Sequence, residues 1–116
     1  MTDRAGPPMT EIADVAALVE VAAESTVSRT VLKASGARLV LFAFDSGQEL
    51  TEHTAAMPVL LQVLDGQLRV TADGRDVLLA PGGVVHLDAR VPHSVLALQP
   101  SRMLLTMQDQ RVPPQP

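Results

Sequence analysis

The sequence predicts an all-β domain, and three observations predict it. From Ser25 onward Val and Leu recur with a period of two, as on a half-buried strand. Turn-forming residues interrupt these runs at short, regular intervals. Two Asp-Gly pairs, at 65–66 and 73–74, offer the dipeptide that suits a two-residue hairpin turn.

Residues 1–24 come first, as an arm and a short helix. Gly6, Pro7 and Pro8 keep the arm irregular. Thr10 is placed to cap a helix in which Ile12, Val15, Ala16 and Val19 fall at helical spacing, giving one apolar stripe to lay on a larger body. The barrel occupies 25–109, with strands expected over 26–33, 37–44, 50–54, 58–65, 67–73, 75–80, 83–88, 93–99 and 101–108. Asp65-Gly66 and Asp73-Gly74 are expected to close hairpins, and Ala80-Pro81-Gly82-Gly83 and Ala89-Arg90-Val91-Pro92 supply the next turns. Residues 110–116 form a disordered tail, because Pro113, Pro114 and Pro116 cannot continue a helix or a central strand.

Alternation also assigns faces. If His53 and His93 point inward, so do Ala55, Val59, Leu61, Val63, Val95 and Ala97, and on the last strand Met103, Leu105 and Met107 form the buried row. The strands from Leu39 to Phe44 and from Val59 to Leu64 are apolar on both faces. One barrel interior covers only one of those faces, so a second subunit is expected to cover the other, as a homodimer.

Composition excludes several classes of partner. The chain has 116 residues, a mass of 12.3 kDa and 47% hydrophobic residues, which fits one globular domain. A net charge of -4, a pI near 5.2 and scattered arginines argue against nucleic acid, whose phosphates need clustered Lys and Arg. The same balance argues against an anionic membrane, and no apolar run has the length of a span. The N-terminal residues lack the pattern of a secretory signal, so a cytoplasmic location is expected. Without cysteine there is neither a disulfide nor thiolate chemistry.

The histidines carry what functional signal there is. His53 sits in the frame Gly47-x5-His53-x-Ala55-x3-Val59-x6-Gly66, and His93 in the frame Gly82-x5-Asp88-x-Arg90-x2-His93-x3-Ala97. These resemble, in order and in spacing, the two motifs of the cupin family, Gly-x5-His-x-His-x3-Glu-x6-Gly and Gly-x5-Pro-x-Gly-x2-His-x3-Asn. The resemblance extends over roughly residues 37–107 and is similar to small single-domain bacterial cupins. It implies a jelly-roll barrel, the double-stranded β-helix, with a small-molecule site inside.

The family's metal set of three histidines and a glutamate would need donors where Ala55 and Val59 stand. Glu52 and Gln62 are out of phase with those two positions on a strand. Two imidazoles therefore imply at most a weakly held divalent cation, against the three or four protein ligands of ordinary zinc sites. His86 alternates onto the other face and is not counted with them. Methionines at 103 and 107 read first as adaptable core filling.

Two functional readings follow. In the first, the protein binds a small, fairly apolar molecule in a pocket of His53, Val59, Leu61, His93, Met103 and Met107. In the second, a metal-dependent enzyme of dioxygenase or isomerase type uses His53 and His93 as partial metal ligands. Ser94 beside His93 points to the opposite face, and Gly82-Gly83 opens no helix, so neither a nucleophile and base pair nor a phosphate cradle is formed.

Overall fold

The computed structural model describes residues 8–108. The arm over 1–7 and the chain beyond 108, with the expected tail, lie outside them. The described residues form nine strands: β1 (Thr26–Ala34), β2 (Ala37–Phe44), β3 (Glu49–His53), β4 (Val59–Asp65), β5 (Leu68–Ala72), β6 (Arg75–Leu79), β7 (Val84–Leu87), β8 (His93–Ala97) and β9 (Ser101–Gln108). They form two antiparallel sheets, a five-stranded one in the order β1-β2-β9-β4-β7 and a four-stranded one in the order β3-β8-β5-β6. This is the jelly-roll arrangement. No helix among the described residues is long and apolar enough to cross a membrane.

The sheets face each other over a core built from alternate residues. Val59, Leu61 and Val63 of β4, Val95 and Ala97 of β8, and Leu68 and Val70 of β5 are buried, together with Phe44, Leu87 and Met103. Their sequence neighbours Gln62, Arg69 and Leu96 are more exposed, as the two-residue period of a strand requires. Leu105 and Met107 complete the inward row of β9, half-buried against this core.

The two Asp-Gly pairs do different things. Asp73 and Gly74 both have positive φ, 51° and 70°, and join β5 to its ladder partner β6 as a two-residue hairpin. Asp65-Gly66 is not a hairpin. It carries the chain from β4 in one sheet to β5 in the other, with only Gly66 at positive φ and an irregularity in the ladder between Val63 and Asp65. The cause lies far along the chain. The Ser101 hydroxyl accepts from the Gln67 N–H at 3.0 Å and donates to the Gln99 carbonyl at 2.7 Å, holding the corner against the start of β9. A methyl group on Gly66 would collide with the Ser101 side chain and the Pro100 carbonyl.

The expected N-terminal helix is absent. In its place a single four-residue 3-10 turn, Val15–Leu18, is followed at once by extended backbone at Val19. Asp14 makes no side-chain capping bond. The segment is instead pinned to the sheet at its end: Arg29 donates to the Leu18 carbonyl at 3.2 Å and Arg102 to the Val19 carbonyl at 2.8 Å. Arg102 also bridges to Asp65 at 2.7 Å. The segment thus runs as a strap over the outside of the five-stranded sheet, where Leu18, Val19 and Val21 pack with Leu41, Ala43, Val27, Val31 and Leu64. Part of the second apolar face of β2 and β4 is therefore covered from within the chain.

Candidate functional site

One end of the sandwich gathers the end of β3, the starts of β4 and β8 and the end of β7, joined by the connections 54–58 and 88–92. The two connections are tied together, because the Arg90 N–H donates to the Ala55 carbonyl at 2.7 Å. The last residue of β3 is His53 and the first of β8 is His93, and the ladder sets them directly opposite each other. The Gln108 N–H donates to the Pro58 carbonyl at 3.0 Å, which brings the end of β9 to the same place.

The imidazole centroids are 4.3 Å apart with the rings tilted by 57°. His93 shares the inward row of Val95 and Ala97 and is only 4% exposed, whereas His53, on the edge strand, is open to solvent. The pair therefore spans the boundary between the interior and the outside. Each Nδ1 lies 2.8 Å from a main-chain carbonyl two residues back, Thr51 for His53 and Val91 for His93. A carbonyl only accepts, so each Nδ1 carries the proton. In the neutral rings both Nε2 atoms are consequently left as unprotonated acceptors, on imidazoles whose orientation the backbone holds.

Around the pair the side chains are apolar. Val59, Leu61 and Met103, expected to line a pocket, are each about 1% exposed and belong to the buried core. Met107 is half-buried and lies opposite Val59 on the ladder at this end. Ala55, Val91 and Ala72, the last of which is the β5 partner of His93, are also half-buried against the core. Val91 and the two accepting carbonyls were not expected from the sequence. The carbonyls could not be, since every residue carries one. His86 stands apart from the pair, exposed on β7 with Nε2 3.3 Å from Gln108 Oε1.

The residues do not fit a resident metal centre. Two imidazoles converge, Ala55 and Val59 offer no donor, and no group of three or more His, Cys, Asp or Glu among the described residues is placed to hold a metal ion.

A family model described as Cupin domain matches residues 40–107, more than half of the chain. None of the curated proteins matches it. Among solved structures, a conserved protein of unknown function from Streptococcus pyogenes superposes with a TM-score of 0.76 at 23% identity, covering 93% of this chain and 95% of that one. A cupin superfamily protein from Desulfitobacterium hafniense gives 0.77 at 20% identity, covering 92% and 98%. A variant of salicylate 1,2-dioxygenase from Pseudoaminobacter salicylatoxidans gives 0.69 at 15% identity, covering 81% of this chain and 29% of that one. At these identities the likenesses speak for the fold.

Proposed function

The chain belongs to the cupin domain family, and we propose that it binds a small, largely apolar molecule bearing one hydrogen-bond donor, at the end of the barrel marked by His53 and His93. One observation carries the reading: both Nδ1 protons are spent on main-chain carbonyls, which leaves two fixed Nε2 acceptors beside an apolar surface. A hydroxyl or amine proton satisfies such an acceptor. A plain hydrocarbon leaves it unpaired once water is displaced, at a cost of about 1–3 kcal/mol. The ligand thus needs an apolar body for Met107, Val91 and Ala55 and a donor for the histidines. Among the described residues no Asp, Glu, Lys or Arg is part of the buried core, so a strongly ionic ligand finds no partner there.

The test compares phenol with benzene, which share a ring and differ in the donor. Imidazole nitrogen shifts in an NMR titration should report Nδ1–H on both rings and move on addition of phenol, with little response to benzene. His93→Ala and His53→Ala should each remove the preference for phenol, while His86→Ala keeps it. Equal responses to both probes would overturn the reading. A divalent zinc ion bound tightly in a one-to-one complex would replace it with the metal-dependent one, in which the same two Nε2 atoms are ligands.

A further inference from the structure

The inner face of the four-stranded sheet is apolar row by row until its last row. Residues opposite each other on a ladder share a face, so each row can be followed from β3 through β8 and β5 to β6. One runs Leu50, Val95, Val70 and Val77, all in the core or packed against it. The row at the histidine end runs His53, His93, Ala72 and Arg75. Along β6, Arg75 alternates with Val77 and Leu79, which pack against the core, so its side chain leaves from the inner face. Arg75 is exposed, and among the described residues it is in no ion pair. The acid beside it, Asp76, belongs to the outer face and accepts from the Thr71 hydroxyl at 2.7 Å.

We propose that Arg75 determines the specificity of the site, and that the ligand is a monocarboxylic acid whose carboxylate pairs with this guanidinium while its donor reaches the histidines. The proposal rests on the reading of His53 and His93 given above and adds the second end of the ligand. The row has two unlike ends: acceptors on β3 and β8, and a fork of donors on β6. Between them Ala72 presents only a methyl group, over which an apolar body can lie. Strands β8 and β6 are two spacings apart, about 10 Å, and the flexible arginine stem covers part of that gap. A guanidinium meets a planar carboxylate through two parallel N–H···O bonds, which is the match that favours this anion. One cation in the row balances one negative charge, and a net charge of -4 on the chain disfavours a second.

Titration calorimetry at low salt should compare 4-hydroxybenzoate with 4-hydroxybenzamide, which share the ring and the phenolic donor and differ in charge. The wild type is expected to bind the benzoate more tightly by about fivefold, the ratio that a solvent-exposed ion pair supports at its favourable end. The ratio should shrink at about 1 M salt, where charges are screened within about 3 Å. Arg75→Gln should bring the two affinities together and leave that for the benzamide unchanged. Arg69→Gln removes the same charge from the outer face of β5, the neighbouring strand, and should keep the preference.

Equal wild-type affinities for the two probes overturn the proposal, as does a preference lost equally in Arg69→Gln, which would make it an effect of overall charge. An Arg75→Gln chain that binds both probes as the wild type does but self-associates would also overturn it, by showing that Arg75 only guards the β6 edge. The histidine reading is judged separately. If phenol moves the imidazole nitrogens and benzene does not, that reading survives the loss of this one, whereas imidazoles indifferent to every phenolic probe end both.

Discussion

On β2 the side chains of Phe42 and Phe44 enter the space between the sheets, while those of Leu41 and Ala43 leave it, and the two sets are covered in different ways. The inner set meets the opposite sheet. Its cover is regular structure, held by every ladder in the molecule at once. The outer set meets a strap with one 3-10 turn and no ladder of its own, fixed by two arginines on carbonyls and by Asp45, whose carboxylate accepts from the Glu24 N–H at 2.7 Å. Apolar burial against a sheet secures itself through many neighbours, whereas a single extended segment needs polar bonds to fix its register. The inner core should therefore open only with the whole fold and the strap by itself.

The largest effect expected from this difference is in the inner core. Leu61 is about 1% exposed, and Leu61→Ala should cost about 2–5 kcal/mol through lost burial and the cavity left behind. Denaturant unfolding should show it as a lower midpoint with all amides losing protection together. If only β4 became labile, the inner core would not be the cooperative unit described.

A smaller effect belongs to the strap. Arg102→Met removes the bond to the Val19 carbonyl and the bridge to Asp65 while keeping much of the apolar stem, and should cost about 1–2 kcal/mol. Hydrogen exchange should speed up over residues 15–21 and leave Leu61 and Val63 as protected as before. Equal acceleration in both places would erase the distinction between the two covers.

The smallest effect concerns Asp45, at the base of the strap. Hydrogen bonds from the Glu24 and Ser46 amides hold its carboxyl below the usual 3.8. A depressed carboxyl stabilises the fold above its unfolded value, and that contribution disappears as the pH falls through the folded value. The difference in unfolding midpoint between the wild type and Asp45→Ala should be constant above about pH 4, near the unfolded value, and shrink below it. A difference that persists unchanged into stronger acid would mean that Asp45 acts through something other than its charge.

Much of this molecule was legible in its sequence because alternation is a local property. Val59, Leu61 and Val63, then Val95 and Ala97, then Met103 and Met107 could be assigned to one face without knowing any partner strand. The turn at Asp73-Gly74 was legible for the same reason. Asp65-Gly66 looks identical in sequence and turns a corner instead, because its geometry is decided by Ser101 and Pro100, at the start of a strand that comes much later. The strap was misread as a helix on a similar ground. The spacing of Ile12, Val15, Ala16 and Val19 is helical, but the chain turns extended at Val19 and is pinned to the sheet by Arg29 and Arg102, which lie further along the sequence. At the candidate site, the glycine frames foretold that His53 and His93 would be brought together. Which nitrogen of each ring keeps its proton depends on main-chain carbonyls, on which side-chain identity is silent.

The position of β9 has a consequence for how the chain is made. It is the last of the described strands in sequence, yet it lies between β2 and β4 in the five-stranded sheet and pairs with both along almost its whole length. While the ribosome still holds residues 101–108, β2 and β4 have no neighbour between them, and Phe44, Leu61 and Val63 lack the strand that carries Met103. The four-stranded sheet and the pairs β1 with β2 and β4 with β7 consist of earlier strands and can form before it, but the five-stranded sheet stays split until β9 arrives. The nascent chain must wait with β2 and β4 unjoined until β9 has emerged, and that interval is when aggregation competes with folding.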